Sequence, residues 1–387
     1  MTYSCSDAQT RFLYIHWPFC AYKCHFCPFV SFASHEQFME RYNRALLLEI
    51  ERFAEKQTKK CDIESLFIGG GTPSTWPDVQ ILDTFGKLSN ILPLSKSAEV
   101  TIEVNPGTVR GEQLEIWKHI GINRLSIGVQ SLNDAVLKNL NRFQTAEDVF
   151  NLLDINSAKR CFENISIDII LGLPGVSEDE WKDLLHTVVG WPIQHISIYF
   201  LTIHSKTPIY YRIESGEISM MQDDDLVGQY NWSVDFLDMH GFKRYEISNF
   251  AKKGYECRHN KVYWERKPYK GFGLAACSFD GRCRFQNHKN LLEYMTCIEH
   301  GKGVENFCEK LTDDQIRLEK LMLGLRTDQG ICEEQMFEGL SESQRRRLET
   351  KIADLKNKNF IYERSGRFVI NPVFLTIENE IVLELLV

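Results

Sequence analysis

The feature that most constrains the fold is an alternation of short apolar runs with segments of helical periodicity over the first 200 residues. Runs rich in β-branched residues are typical of strands, and apolar residues three or four positions apart are typical of helices. The six runs are FLYIHW at 12–17, SLFIGG at 65–70, EVTIEVN at 99–105, RLSIGVQ at 124–130, ISIDIILGL at 165–173 and HISIYFL at 195–201. The helical segments are Gln37–Glu55, Asp78–Leu88, Gly111–His119, Ala146–Lys159 and Glu178–Val189. Repeated strand–helix units predict an α/β protein with six parallel strands, either a barrel or a doubly wound sheet, and ligand groups at the carboxyl ends of the strands.

The alternation stops near residue 240, which predicts a core at 1–240, a connecting region at 241–310 and a C-terminal domain at 311–387. In the C-terminal domain, three helical patterns precede NFIYERSGRFVINP, which predicts a hairpin turning at Ser365–Gly366. Helices followed by a hairpin resemble a winged helix. Because the chain has a net charge of −8 and a pI near 5.8, we expect a lid or docking domain and no nucleic-acid partner.

Length and composition are those of a folded globular protein. Hydrophobic residues make up 43% and charged residues 25% of the 387 residues, a length that suggests about two to three domains. The first residues, MTYSCSDAQTRF, lack an apolar core of signal-peptide length, and no apolar stretch is long enough for a spanning helix. We therefore predict a cytoplasmic protein without a transmembrane segment.

Three of the twelve cysteines stand close together in CAYKCHFC, as Cys20, Cys24 and Cys27. Three thiolates on one loop can hold a 4Fe-4S cluster and leave one iron free to bind something other than protein. The alternative is zinc, which needs a fourth ligand such as His16 or His25. The other nine cysteines show no tight mutual spacing, and we expect free thiols that are buried or incidental: Cys5, Cys61, Cys161, Cys257, Cys277, Cys283, Cys297, Cys308 and Cys332.

Further polar or glycine-rich positions fall at the predicted strand ends. GGGTPS at 69–74 lets the backbone approach a ligand closely, although a tight strand-to-helix turn would need the same glycines. Glu103, Gln130, Arg142 and Asp168 lie in or beside apolar strand patterns. Each could face solvent, but charged groups on inner strands are costly unless paired or used on a ligand, so together they favour a polar site.

Taken together, YIHWPFC, GGGTPS, EVNP, GVQS, SIDIILGLPG and YEISNFA resemble one branch of the radical S-adenosylmethionine (SAM) proteins. That branch holds the oxygen-independent coproporphyrinogen oxidases and the related radical SAM heme chaperones. The resemblance covers nearly the whole chain and implies a partial (β/α)6 barrel with a C-terminal α+β winged-helix-like domain. It also implies a 4Fe-4S cluster on the three cysteines, with SAM on the free iron and cleaved after one-electron reduction by a flavodoxin- or ferredoxin-type donor.

Site residues follow from the resemblance position by position. It implies that Tyr14 and Phe26 border the cluster-bound SAM, that Gly70 contacts its methionine moiety and that Glu103 also binds it. Five residues match positions that contact a second SAM in the oxidase branch: Gly71, Thr72, Gln130, Arg142 and Asp168. This sequence departs from relatives at Phe143 and Cys277, where histidine is common, and at His204, where glutamate is common.

Three departures from the oxidases favour the chaperone branch. Phe29 stands where oxidases carry a further cysteine, only 19 residues precede Cys20, and HNKVYW at 259–264 matches the HNxxYW motif that is linked to heme binding. We therefore expect heme or porphyrin as cargo, with His259 as an axial ligand, Tyr263 and Trp264 packed on the macrocycle, and a heme-accepting protein as partner. The alternative for these three residues is a packed loop with a hydrogen-bonded histidine.

Two other functions compete with heme transfer. One is oxygen-independent coproporphyrinogen dehydrogenase, which decarboxylates two propionates to vinyl groups and against which the three departures argue. The other is a zinc-stabilised nucleic-acid module built around the C-terminal domain, which the acidic composition disfavours.

Overall fold

The computed structural model describes residues 10–57, 61–159 and 161–386, so Cys5 lies outside the described residues. Within them, nine strands form one sheet. The six central strands are parallel and confirm the sequence prediction. Their bounds are Phe12–Trp17 (β1), Ile63–Gly70 (β2), Leu94–Val104 (β3), Arg124–Gln130 (β4), Asn164–Leu171 (β5) and His195–Phe200 (β6).

The connecting region extends this sheet at both edges. Lys243–Arg244 (β7) and Asn249–Ala251 (β8) form an antiparallel pair beside β6, whereas Lys270–Phe272 (β9) runs parallel to β1. The order across the sheet is β9-β1-β2-β3-β4-β5-β6-β8-β7. The alternation of the sequence therefore ends near residue 240, but the sheet does not.

Helices cover the outside of the curved sheet and bury one face each. The first eight are Met39–Lys56 (α1), Asp78–Ile91 (α2), Gly111–His119 (α3), Asp134–Asn139 (α4), Ala146–Lys159 (α5), Glu178–Val188 (α6), Pro208–Glu214 (α7) and Asp223–Met239 (α8). The α6 helix begins with a capping box in which Ser177 and Glu180 satisfy each other's backbone N–H groups. One turn on, the Trp181 indole donates to Ser233 Oγ of α8 at 2.9 Å. The capping box and the contact with α8 thus both stabilise the first turn of α6.

Beyond the sheet, the chain forms two smaller units. Arg258–Trp264 (α9) packs against β2. A three-stranded sheet is formed by Cys277–Phe279 (β10), Cys283–Asn287 (β11) and Glu305–Lys310 (β12), and Leu291–Glu299 (α10) lies between β11 and β12 in the chain. The C-terminal unit runs Asp313–Leu325 (α11), Ile331–Cys332 (β13), Glu333–Phe337 (α12), Glu342–Asn357 (α13), Ile361–Arg364 (β14), Arg367–Ile370 (β15) and Glu378–Glu384 (α14).

The C-terminal unit has the element order of a winged helix and an apolar core of its own around Leu321, Leu348 and Phe368. Its hairpin turns at Ser365 and Gly366, as the sequence predicts, and both residues have positive φ angles of 52° and 72°. A two-residue hairpin loop needs this geometry to match the twist of its strands. Within the described residues, no helix combines the length and apolar composition needed to cross a membrane.

Candidate functional site

A cavity of about 520 Å³ opens at the carboxyl ends of the parallel strands. The register places the last residues of β1 and β2 side by side, with Trp17 opposite Gly70, and the turns that follow them form its wall. It collects most of the residues predicted from the sequence: Cys20, Cys24, Phe26, Cys27, Gly70, Gly71, Thr72, Glu103, Gln130, Arg142 and Asp168. Residues up to 148 positions apart in the chain therefore meet in one site.

The cysteine loop is held in shape by contacts of its own backbone. Phe19–Cys20 pairs in parallel with Phe32–Ala33, so the loop is closed at its base. Within it, the Cys27 N–H donates to the Cys24 carbonyl at 3.2 Å, and Lys23 Nζ donates to the Phe29 carbonyl and to Ser31 Oγ. From outside, Asn141 Nδ2 donates to the Lys23 carbonyl at 2.7 Å. The three thiols are thus presented to the cavity by a prearranged loop.

The chemistry of the three thiols fits an iron–sulfur cluster. Burial raises the pKa of both Cys20 and Cys24, while the Arg142 guanidinium, 3.7 Å from Cys24 Sγ, acts to lower that of Cys24. Thiolates bind iron, so a positive group beside the loop favours loading. In the part of the chain that the structure describes, no three His, Cys, Asp or Glu side chains converge on a point that would hold a single metal ion. A 4Fe-4S cube needs no such point, because it bonds each cysteine to a different iron.

The glycine run forms a tight turn that leaves no room for a side chain at Gly70 or Gly71. Gly70 has a φ of +115°, and a Cβ there would lie 2.6 Å from the His16 ring, while one on Gly71 would lie 2.8 Å from the Phe19 carbonyl oxygen. Both glycines are therefore required by the protein's own packing. The Gly70 N–H points at Glu103 and donates to Oε2 at 3.0 Å.

Two carboxyl groups lie at the floor of the cavity. Burial, and then the neighbouring Asp168, raise the pKa of Glu103 to about 7. Burial also raises the pKa of Asp168, against the opposing effect of hydrogen bonds from Ser197 and Ser126, the latter at 2.9 Å. Buried carboxyl groups with raised pKa values are typical of ligand sites, because a cationic ligand compensates the cost of ionising them.

Gln130 ends β4 in a strained conformation. Its φ is +65°, and the pairing of β4 with β5 slips between Gly128 and Gln130. Such bulges redirect a side chain next to a site. Arg142 fills the adjoining space, where Nη2 donates to the Gly128 carbonyl and Nε has no hydrogen-bond partner among the described residues. An unpartnered buried N–H on this wall suits a ligand with acceptor groups.

Three of the predicted residues lie elsewhere, in a second cavity of about 190 Å³ inside the barrel. Tyr14, His259 and Tyr263 line it, and it shares Glu103 and Asp168 with the larger cavity. Tyr14, which the sequence resemblance places beside SAM, has its hydroxyl 3.0 Å from His16 Nδ1. The two floor carboxyl groups therefore separate two compartments.

His259 is an interior residue of α9. It is 1% exposed, its Nδ1 lies 2.8 Å from Ser65 Oγ and its Nε2 lies 2.9 Å from the Tyr263 hydroxyl. Burial lowers its pKa to about 3, which keeps the ring neutral. Because both ring nitrogens are engaged, neither is free to bind a heme iron in this conformation. The structure thus has the hydrogen-bonded histidine of the alternative interpretation, on a helix rather than on a loop.

Trp264 ends the same helix on the side of the C-terminal unit. The Arg326 guanidinium lies 4.6 Å from the centre of its ring and forms an ion pair of 2.7 Å with the fully buried Glu246. Trp264 therefore joins two structural units and does not reach either cavity. The HNKVYW motif consequently connects the barrel interior, through His259, to the C-terminal unit.

Several cavity residues were not predicted as site residues. Ser126 and Tyr199 line both cavities, and His204 lines the larger one from the loop after β6. The place of Tyr199 near the end of the predicted strand HISIYFL could have indicated a site residue. Alternation along a strand, however, does not reveal which face points inward.

Comparisons with known proteins agree over most of the chain. Residues 14–188 match the profile of the radical SAM superfamily. The heme chaperone HemW of Bacillus subtilis is 32% identical over 371 residues, covering 93% of this chain and 97% of that protein. The mitochondrial radical S-adenosyl methionine domain-containing protein 1 of Danio rerio is 32% identical over 94% of this chain and 82% of its own. Coproporphyrinogen III oxidase (HemN) of Escherichia coli superposes with a TM-score of 0.84 over 99% of this chain and 91% of its own, at 22% identity, which confirms the predicted fold class.

Proposed function

This chain belongs to the family of the radical SAM heme chaperones, and from that premise we propose that it binds heme and passes it to another protein. The observation that carries the proposal is similarity to a heme chaperone over 97% of that relative's length. Membership of the radical SAM superfamily implies a 4Fe-4S cluster and SAM as cofactors. A cytoplasmic location, a flavodoxin- or ferredoxin-type electron donor and a heme-accepting protein remain predictions.

In the proposed arrangement, Cys20, Cys24 and Cys27 hold the cluster and the floor of the large cavity holds SAM. When bound, the pair supplies reductive cleavage of SAM. The work of the protein is placement: the Gly70 N–H fixes the Glu103 carboxyl group, which is then oriented to accept a hydrogen bond from the SAM amino group. Phe26 borders the same space.

A second set of residues faces the remaining wall of the cavity. Gly71, Thr72, Gln130, Arg142 and Asp168 all line it, which supports their assignment to bound SAM or to a further polar ligand. Tyr14 lines the inner cavity next to Glu103, so we propose that it acts on SAM only through that carboxyl group.

The second candidate function is coproporphyrinogen dehydrogenase, with which the fold shared with HemN is compatible. A paired assay on anaerobically reconstituted protein separates the two candidates. We expect hemin to bind with a shifted Soret band, and coproporphyrinogen to remain unconverted with SAM and a strong reductant. Conversion at a steady rate would move the chain to the oxidase function instead.

The cluster assignment has its own test. Replacing Cys20, Cys24 or Cys27 by serine should abolish the brown colour and the roughly four irons and four sulfides per chain expected of a 4Fe-4S cluster. Cys277→Ser is the matched control, because Cys277 is exposed and lies outside the loop. Equal iron in the control and in all three loop variants would overturn the assignment.

A further inference from the structure

The mouth of the large cavity carries exposed aromatic side chains. Phe29 is 63% exposed and lines the cavity. Phe143, 57% exposed, packs edge-on against Tyr22, another lining residue, with ring centres 5.3 Å apart. Large exposed aromatic groups that converge on one opening mark a binding surface for a flat apolar ligand.

One histidine shares this mouth. His204 lines the cavity and is exposed, and within the described residues its ring receives no hydrogen bond. Its backbone is nevertheless fixed, because Thr207 Oγ1 donates to the His204 carbonyl at 2.6 Å. Two residues further on, the Ile209 N–H donates to the His25 carbonyl at 3.2 Å, which ties this loop to the cysteine loop. An imidazole with free nitrogens is thus held at a set position over the site.

The buried histidines of the barrel have no free ring nitrogen of this kind. His16 lies 2.9 Å from the Val30 carbonyl and 3.0 Å from the Tyr14 hydroxyl through its two ring nitrogens. Both nitrogens of His195 and of His259 are engaged as well. Iron can reach none of these rings without breaking a buried hydrogen bond.

Charge at the mouth also suits heme. Lys23 lines the cavity and, among the described residues, has no carboxylate partner, since its Nζ donates only to the Phe29 carbonyl and Ser31 Oγ. The two carboxyl groups, Glu103 and Asp168, lie at the floor. A ligand with an apolar ring and anionic side chains therefore meets aromatic groups and a cation at the mouth, and leaves the acidic floor to SAM.

We propose that heme binds across this mouth, with His204 as the axial ligand of its iron, Phe29 and Phe143 against the macrocycle, and Lys23 near a propionate. The proposal rests on the proposed function, which it deepens by naming the binding site. It replaces His259 with His204 as the heme ligand.

The test is an anaerobic hemin titration of the cluster-loaded protein, followed at the Soret band. His204→Ala should remove the spectrum of histidine-ligated heme and lower hemin affinity by about tenfold or more, and added imidazole should restore the spectrum. Phe29→Ala and Phe143→Ala should each lower affinity by about 2- to 13-fold, as for the loss of an aromatic pair. His119→Ala, at the exposed end of α3, should change nothing.

The outcomes separate this inference from the function it rests on. Wild-type protein that does not bind hemin would overturn both. Wild-type protein that binds hemin, beside a His204→Ala variant with the same spectrum and affinity, would overturn the ligand assignment and leave heme binding standing. Iron and sulfide contents equal to wild type in every variant show that the fold is intact.

Discussion

Among single residues, Glu103 has a raised pKa that lowers the free energy of unfolding by an amount that can be measured. Its carboxyl group loses its proton near pH 4.5 in the unfolded chain but only near pH 7 in the folded protein. As the pH rises between these two values, the free energy of unfolding therefore falls by about 1.4 kcal/mol per pH unit. Below both values the carboxyl group is protonated in either state and the loss is absent. In cluster-free protein, Glu103→Gln should be more stable than wild type by up to about 3 kcal/mol at pH 8, with little difference at pH 4. Urea unfolding at both pH values measures this.

The same variant tests the proposed contact with SAM. In cluster-loaded protein, Glu103→Gln should weaken SAM binding by about 10- to 100-fold, because a hydrogen bond to a charged acceptor is lost. Equal stability differences at both pH values would refute the raised pKa, and unchanged SAM affinity would refute the contact.

His259 should act on stability and not on heme ligation. His259→Ala leaves the hydroxyl groups of Ser65 and Tyr263 without their partner and opens a void, at a cost of about 2–4 kcal/mol in the free energy of unfolding. His204→Ala is the matched control, since it removes an exposed ring and should change stability by less than about 0.5 kcal/mol. Denaturant unfolding of both variants checks the contrast, which a stable His259→Ala protein would contradict.

These two histidines show where sequence reasoning stopped at the residue scale. The cysteines, the glycines, Glu103 and Asp168 could be found because parallel strands bring their ends together, so position along the pattern predicts position in space. The burial of His259 depends on Ser65, 194 residues away, and no local pattern records that contact.

Among the elements, the long ones were predictable and the short ones were not. Six strands and five helices carry enough apolar residues to show their period, and α3 and β4 begin and end where the sequence predicted. The strands β7, β8 and β9 have two or three residues each, too few to show alternation. Their place in the sheet comes from pairing with β6 and β1, so the connecting region could not be assigned from sequence.

One ion pair, between Arg326 and Glu246, joins the C-terminal unit to the segment before β8, and the same guanidinium lies over the Trp264 ring of α9. Among the described residues, Arg326→Met would leave Glu246, which is 0% exposed, with the Ser248 N–H and the Asn249 amide as its remaining partners. We expect a loss of about 2–4 kcal/mol, because one charge stays buried without its counter-ion. Hydrogen exchange in α9 and β8 should rise with it. Adding Glu246→Gln should recover part of the loss, and a double variant less stable than the single one would contradict this origin.

For the molecule as a whole, fold and function come from different observations. The superposition on HemN fixes the architecture but leaves heme transfer and porphyrinogen oxidation equally compatible with it. Similarity to heme chaperones along the whole chain favours the first. The structure adds that the cysteine loop, the carboxyl groups of the floor and the aromatic side chains of the mouth border one cavity, so ligands bound at these three places would affect one another.

The position of the mouth above the floor of one cavity predicts how bound heme affects the dissociation of SAM. If heme covers the mouth, SAM bound on the floor can leave only after heme moves, because the inner cavity behind Glu103 and Asp168 lies inside the barrel. Bound hemin should therefore slow the dissociation of SAM, whereas His204→Ala at the same hemin concentration should restore the faster rate. A chase of labelled SAM with excess unlabelled SAM, on cluster-loaded protein with and without hemin, measures both rates. Identical rates at saturating hemin would place the heme away from this mouth.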